Sequence, residues 1–190
     1  MKFGGTSVEG ATAFKNVAAI ISARQTLRPV VVVSAMARFT DGLIESVQRA
    51  LTLGAGEGAA GLEKHFDRHL RVIDALLLSE AEGMRQLIDQ SRVEIAELLK
   101  TAATELTDAK VDVDSEGRKR RRFFEDAVVS YGERLSAAML AAVLAENQIR
   151  GRYVDARRCV ITDDSHGCAM PLISETRLPS YPLVSEDHSK

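Results

Sequence analysis

The run Lys2-Phe3-Gly4-Gly5-Thr6-Ser7-Val8 restricts what this chain can fold into more than any other segment. It sets one cation, two glycines and two hydroxyls close together, directly ahead of a helical pattern. Phe14, Val17, Ala18 and Ile21 fall at i, i+3, i+4 and i+7, one apolar stripe of a helix that the pattern carries to about Gln25. A glycine turn entering a helix is a ready anion site. Residues without a Cβ let backbone N–H groups approach phosphate oxygens, and the helix N-terminus adds its positive dipole end. A lysine beside the turn meets the same anion as a point charge. Spacing alone leaves a second reading open, a strand-to-helix turn that merely needs flexible residues.

A chain of 190 residues suits one domain of ordinary size, and a composition 45% hydrophobic and 27% charged is globular rather than disordered. The formal net charge of −2 leaves no electrostatic footprint for nucleic acid or an anionic membrane. Cys159 and Cys168 are too far apart for a CxxC pair and suggest no disulfide framework. No continuous apolar run approaches a membrane span, and no signal-peptide pattern precedes the first motif. A soluble, cytoplasmic protein is the expectation.

After the first helix, Pro29 introduces Val30-Val31-Val32-Val33, a β-branched run of the type buried on both faces of a parallel sheet. It ends in a loop of small residues and hydroxyls, Ser34-Ala35-Met36-Ala37-Arg38-Phe39-Thr40-Asp41. A further helix follows with Leu43, Val47, Ala50 and Leu51 on one face. Helix, buried strand, polar loop and helix make the grammar of an open parallel α/β sheet, where ligands bind outside the carboxyl ends of the strands. Both loops would lie on that edge.

Residues 54–61 contain a literal GxGxxG at Gly56, Gly58 and Gly61, but it follows a helix rather than a strand. It reads as a flexible inter-helix loop. From 62 to 106 the pattern is helical throughout, with one stripe of Leu62, Phe66, Leu70, Ile73 and Leu77 and another of Leu87, Ile88, Ile95, Leu98 and Leu99. The break lies at 79–83, so the two helices form a hairpin inserted at about 58–107, a cap or a dimerisation element. His65 and His69 have the i, i+4 spacing of a metal pair, but the HExxH glutamate is absent, and His69 falls on the apolar side. Helix packing is the better assignment. Residues 112–117 read as a polar connection, and the basic run 118–122 as a solvated one.

Ser130 and Glu133 have capping-box spacing and would open a helix carrying Leu135, Met139, Ala142 and Val143, with Gly151 near its end. A carboxylate at that helix mouth could instead hold a ligand ammonium group. Residues 152–156 and 159–162 read as short strands, and 177–190 as a polar, fraying tail.

These pieces together resemble one family. Lys2-Phe3-Gly4-Gly5-Thr6-Ser7-Val8 is similar to the KFGGTSV signature of aspartokinases, within the amino-acid kinase fold. Val31-Val32-Val33-Ser34-Ala35-Met36 resembles that family's VVSAM segment, with Thr40 and Asp41 following. Ser130-Tyr131-Gly132-Glu133-Arg134-Leu135-Ser136-Ala137 resembles its GE-containing helix start. Asp155-Ala156-Arg157, then Ile161-Thr162-Asp163-Asp164, is similar to its DAR and TDD region. The order of four motifs makes the resemblance specific up to about Pro171. It implies a three-layer αβα fold, an open, mainly parallel sheet with an inserted helical hairpin, truncated at both ends. Residues 1–176 would be the N-terminal part of the kinase domain.

The resemblance implies ATP- and Mg²⁺-dependent phosphorylation of the aspartate β-carboxylate to 4-phospho-L-aspartate, on the route to lysine, threonine and methionine. By the same resemblance Lys2, Gly4, Gly5 and Thr6 would contact the ATP phosphates, with Lys2 catalytic, while Ser34, Thr40 and Glu133 would hold L-aspartate. Glu133 would take the α-ammonium group. No residue of this chain is implied as a metal ligand, since Mg²⁺ would arrive on the nucleotide. The sequence departs from the family in three respects: only Met1 precedes Lys2, Ala37 replaces a usual glycine, and no RGGSD or adenine-binding segment is present. Two function classes therefore stand: a kinase weakly active or inactive as this chain alone, and a non-catalytic binding or assembly module of the same origin. Either leaves a homodimer, or a partner chain supplying the missing part, open.

Overall fold

The computed structural model describes residues 1–106 and 115–176, which form two compact units divided at Tyr153. The first unit contains a short parallel sheet, β1 (Lys2–Phe3) and β2 (Val32–Val33). Around it lie, among the described residues, six α-helices: α1 (Ala11–Ser22), α2 (Phe39–Leu53), α3 (Ala55–Ala60), α4 (Glu63–Leu76), α5 (Ala81–Glu105) and α6 (Ser115–Glu146). Lys2 pairs with Val32 and Phe3 with Val33, so both strands end on the same edge. The ladder extends one residue each way, Val32 N–H donating to Met1 O (2.9 Å) and Ser34 N–H to Phe3 O (3.0 Å).

The helices follow the periodicity of the sequence. Phe14, Val17, Ala18 and Ile21 are all buried on α1, which ends at Ser22, and a 3₁₀ turn over Gln25–Leu27 leads to the second strand. Along α4 and α5 the two expected stripes are buried in part: Leu62, Phe66, Ile73, Ile88, Ile95 and Leu99 are at or below 2% exposure, Leu70, Leu87 and Leu98 are half-buried, and Val72, Met84 and Ala102 are buried beside them. Side chains such as these contribute roughly 1.5–3 kcal/mol each when withdrawn from water. α2 packs against α3, α5 and α6, α5 against α6, and α1 against α6, so α6 is the spine of the unit.

Several expectations are corrected. The valine run is not buried on both faces: Val30 is 70% and Val32 52% exposed, and only Val33 is buried. With two strands of two residues, the described sheet has too little area to cover both faces. Residues 55–60 are helical rather than a flexible loop. Gly58 there lets α3 approach α2, since a Cβ would sit 2.5 Å from Ser46 O and 2.9 Å from Ala50 Cβ. Its glycine permits close packing.

The helix containing Glu133 does not begin at Ser130. It already includes Ser115, Glu116 and Gly117, which sequence alone assigned to a polar connection; residues 112–114 lie outside the described residues. Phe124, Val128, Tyr131, Leu135 and Met139 form one unbroken apolar stripe, so burial carries the helix straight through the capping signature. Ser130 Oγ–H instead donates to Ala127 O (2.8 Å), a local bond within the helix. By length and composition α6 would suffice to cross a membrane, contrary to the composition reading, but its apolar stripe is part of the core. In the basic run, Arg120 pairs with Glu105 (2.8 Å) and Arg121 with Glu125 (3.0 Å).

The expected strands at 152–156 and 159–162 are absent. Ala156–Arg158 is a 3₁₀ turn capped by the Asp155 carboxylate, and the pairing at 159–162 is a single antiparallel bridge of Thr162 with Pro171. The Asp163 carboxylate accepts from the N–H groups of Ser165 (3.0 Å) and Met170 (3.2 Å), which hold its pKa below the usual carboxylate range. The expected tail, 177–190, lies outside the described residues.

Candidate functional site at the carboxyl edge of the sheet

Two loops leave the sheet on the same edge. The first is a 3₁₀ turn, Gly5–Val8, closed by the Ser7 N–H donating to Gly4 O (2.9 Å) and leading through Gly10 into α1. The second runs from Ser34 to Arg38 into α2, with the Phe39 N–H donating to Met36 O (2.9 Å) and Arg38 in the left-handed region at φ 65°. Non-glycine residues adopt that conformation rarely, so the loop has a defined shape that its surroundings must hold.

The loops touch. A Cβ added to Gly5 would lie 2.8 Å from Ala35 O and 3.4 Å from Ala37 N, both backbone atoms. Gly5 is thus a close-approach glycine between the two loops. Gly4, its neighbour, has nothing within 4 Å of the corresponding point. The pair makes a sharp test. Gly5→Ala is expected to destabilise the protein by about 1–3 kcal/mol through overpacking against rigid backbone, and Gly4→Ala by less than about 0.5 kcal/mol. Thermal unfolding of the two variants beside the parent checks both.

α6 reaches the same loops. The Ala35 N–H donates to Glu133 Oε1 (3.3 Å), a contact across 98 residues of sequence. Gly132, one residue before, has no room for a side chain, because its Cβ would come 2.7 Å from Ala35 Cβ. Glu133 therefore sits in mid-helix, brought to the loop by the glycine beside it rather than by a helix mouth. Its side chain remains exposed enough to meet a ligand.

The sequence candidates divide accordingly. Gly5, Ser34 and Glu133 are assembled around Ala35: Gly5 and Glu133 through their contacts, Ser34 as its chain neighbour. Gly4 precedes Gly5 in the same turn, and Thr40 is half-buried in the first turn of α2. Lys2 and Thr6 present exposed side chains, Lys2 from β1 and Thr6 from the 3₁₀ turn. The result is a junction of backbone N–H groups, hydroxyls and one carboxylate, with a lysine on the strand that feeds it. Such a set can bind an anion at the glycine turn and an ammonium group at the carboxylate.

Local pattern did not reveal Arg68. From α4 its Nη1 donates to Ala37 O (2.8 Å) and its Nη2 to Glu9 O (3.3 Å), one partner behind each loop. The contacts span 31 and 59 residues, which no periodicity can show. His65 and His69 are packing residues. The His69 ring lies 4.8 Å from Phe39, edge to face, and His65 is 5.4 Å from it. His69 Nδ1 bonds to His65 O (2.8 Å).

The amino acid kinase family model matches residues 1–178. Chloroplastic aspartokinase 2 of Arabidopsis thaliana is 31% identical over 169 residues, covering 86% of this chain and 28% of that protein. Aspartokinase III of E. coli superposes with a TM-score of 0.70 in its aspartate–ADP complex, and of 0.68 in its lysine–aspartate complex. Both are 26% identical and covered over 92% of this chain, which spans 34% and 35% of the two structures. The chain spans less than a third of the curated relatives it matches. Family match, sequence identity and superposition agree: this chain belongs to the amino acid kinase family and is similar to part of the aspartokinases.

Proposed function

We propose that this chain carries the phosphate-turn and amino-acid half of an aspartate kinase site, which transfers the γ-phosphoryl group of ATP to the β-carboxylate of L-aspartate. The observation that carries this reading is the junction at Ala35. There Gly5 of the glycine turn and Glu133 of α6 meet the same loop residue, so the two proposed ligand groups converge on one place. The E. coli structures, whose ligands are aspartate with ADP and aspartate with lysine, support the assignment by similarity of fold.

The chemistry suits these residues. An aspartate side chain with an ordinary pKa of about 3.9 is already ionised at pH 7, so no general base is needed. A carboxylate oxygen attacks the γ-phosphorus, the bond from that phosphorus to the β-phosphate oxygen breaks, and ADP leaves with the electron pair. No proton must move. The demands are charge neutralisation and in-line alignment. Lys2 and the N–H groups at Gly4, Gly5 and Thr6 are proposed to meet the phosphates, with Mg²⁺ entering on the nucleotide. Ser34 and Thr40 are proposed to orient the substrate, and the Glu133 carboxylate to receive its α-ammonium group, exchanging or sharing the Ala35 N–H.

Calorimetric titration with L-aspartate and, separately, Mg-ATP tests the reading. Glu133→Ala is expected to weaken aspartate binding by roughly 10- to 100-fold, the range of one charge-assisted hydrogen bond. It should leave Mg-ATP binding unchanged. Lys2→Ala should do the reverse. Absence of heat with either ligand would make the motifs inherited scaffold, and assembly the function.

A further inference from the structure

We propose that Arg68, on the inserted hairpin, is a positioning residue that clamps the two loops of the site in their binding geometry. The proposal extends the kinase reading, on which its ligand arm rests; its structural arm does not depend on it.

The carbonyls it joins are well placed for this. Ala37 immediately precedes the left-handed Arg38, the residue that turns the second loop into α2. Glu9 closes the 3₁₀ turn and directly precedes Gly10, from which α1 begins. A bond to each fixes the exit of one loop and the end of the other. The second loop is held at its ends, by Ser34 N–H to Phe3 O and Gly42 N–H to Arg38 O, and between them by the Phe39 N–H to Met36 O bond. An external tether therefore matters more there than in a helix or strand, where neighbouring bonds share the constraint.

The tether has a rigid base. Arg68 lies between His65 and His69 on α4, and both rings are buried against Phe39 at the start of α2. A Cβ at Gly42 would collide with the His65 ring, so α4 and α2 are in direct contact at this level. The guanidinium adds to this packing the feature a lysine lacks, a planar fork whose two terminal nitrogens satisfy separate acceptors at once. The hairpin thus acts on the site through one side chain. A positioning element built on a packed helix holds a site more accurately than the loops would hold themselves.

Hydrogen exchange and calorimetry on Arg68→Gln and Arg68→Lys decide the matter. In Arg68→Gln the amides of Phe39 and Ser7, which close the two loops, should exchange about tenfold faster, the effect of one lost hydrogen bond. The amides of Ile95 and Leu99 on α5 should keep their parent rates. Aspartate affinity should fall by about the same factor. Arg68→Lys should behave like Arg68→Gln, because it keeps the charge and loses the fork. Unchanged exchange at both loop amides would overturn the clamp, as would equal acceleration on α5, which marks a general stabiliser, or full restoration by lysine. If the parent binds no aspartate, the kinase reading fails and the exchange rates alone judge the clamp.

Discussion

Lowering the pH from 7 to 4 is expected to remove about 3 kcal/mol of stability at His69 alone. The ring is 1% exposed, its Nε2 has no hydrogen-bond partner, and burial pushes its pKa down to about 4 from the ordinary 6.5. The nearby Arg68 charge and the His65 ring push in the same direction, while the bond to His65 O opposes them. In the unfolded chain the imidazole binds a proton near pH 6.5, whereas in the folded chain it stays neutral until about pH 4. The unfolded state therefore holds more protons throughout that window, and stability falls as pH falls across it. Above pH 6.5 the contribution is fully present. His65 adds to the loss: burial, Lys64 and Arg68 lower its pKa, against the smaller opposing pull of Glu45 and Asp41. Urea unfolding at pH 7 and pH 4 on the parent and on His69→Gln separates this effect from that of the carboxylates, which titrate in both. The parent should lose about 3 kcal/mol more than the variant; equal losses would refute a buried neutral imidazole.

This pH sensitivity lies in a pair of histidines whose spacing also matches a metal motif, which shows where sequence reading worked and where it stopped. The apolar side of His69 was legible from the stripe of Phe66, Leu70 and Ile73, and packing followed from it. The helices of the hairpin were legible for the same reason, since a helix buried along one face must carry its apolar residues at that period. The glycine turn was legible as a turn, but what requires glycine there is the approach of Gly5 to Ala35, a contact between distant segments. What failed were signals that mean one thing at a terminus and another inside a packed element. Ser130 and Glu133 match a capping box, yet the stripe from Phe124 to Met139 runs through them, and burial of that face outweighs a cap of about 1 kcal/mol. Gly56, Gly58 and Gly61 look like a loop, yet Gly58 is where α3 meets α2. The residues 159–162 have strand composition, but a strand exists only with a partner ladder, and Pro171 supplies one bridge. In the site, Gly5 and Glu133 meet at Ala35, but the contacts that frame this meeting, Gly132 against Ala35 and Arg68 to both loops, join distant segments.

Phe39→Ala should produce the largest single loss, about 3–5 kcal/mol, the range for emptying a buried aromatic site. Phe39 is fully buried, with its ring 5.9 Å from Phe66 in an edge-to-face contact and the two histidine rings on its other sides. Phe66 in turn carries the Arg92 guanidinium over its face at 5.1 Å, so the cluster ties α2 and α4 to α5. Collapse around the cavity is limited, because each neighbour is itself held in a helix. The same residue is the first of α2, directly between Arg38 and Thr40, so the loss has a second consequence. Without the ring to anchor it, the start of α2 loses the packing that helps the Met36 and Arg68 tethers fix Thr40 relative to Ala35. Aspartate affinity should therefore fall further than in a variant of equal instability placed elsewhere in the core. Ile88→Ala, on α5 and fully buried, is the matched control, expected to lose about 2–5 kcal/mol. Chemical unfolding ranks the two for stability, and titration at a temperature where both remain folded ranks them for binding. Equal affinities in the two variants would mean that the aromatic cluster supports the fold without shaping the site.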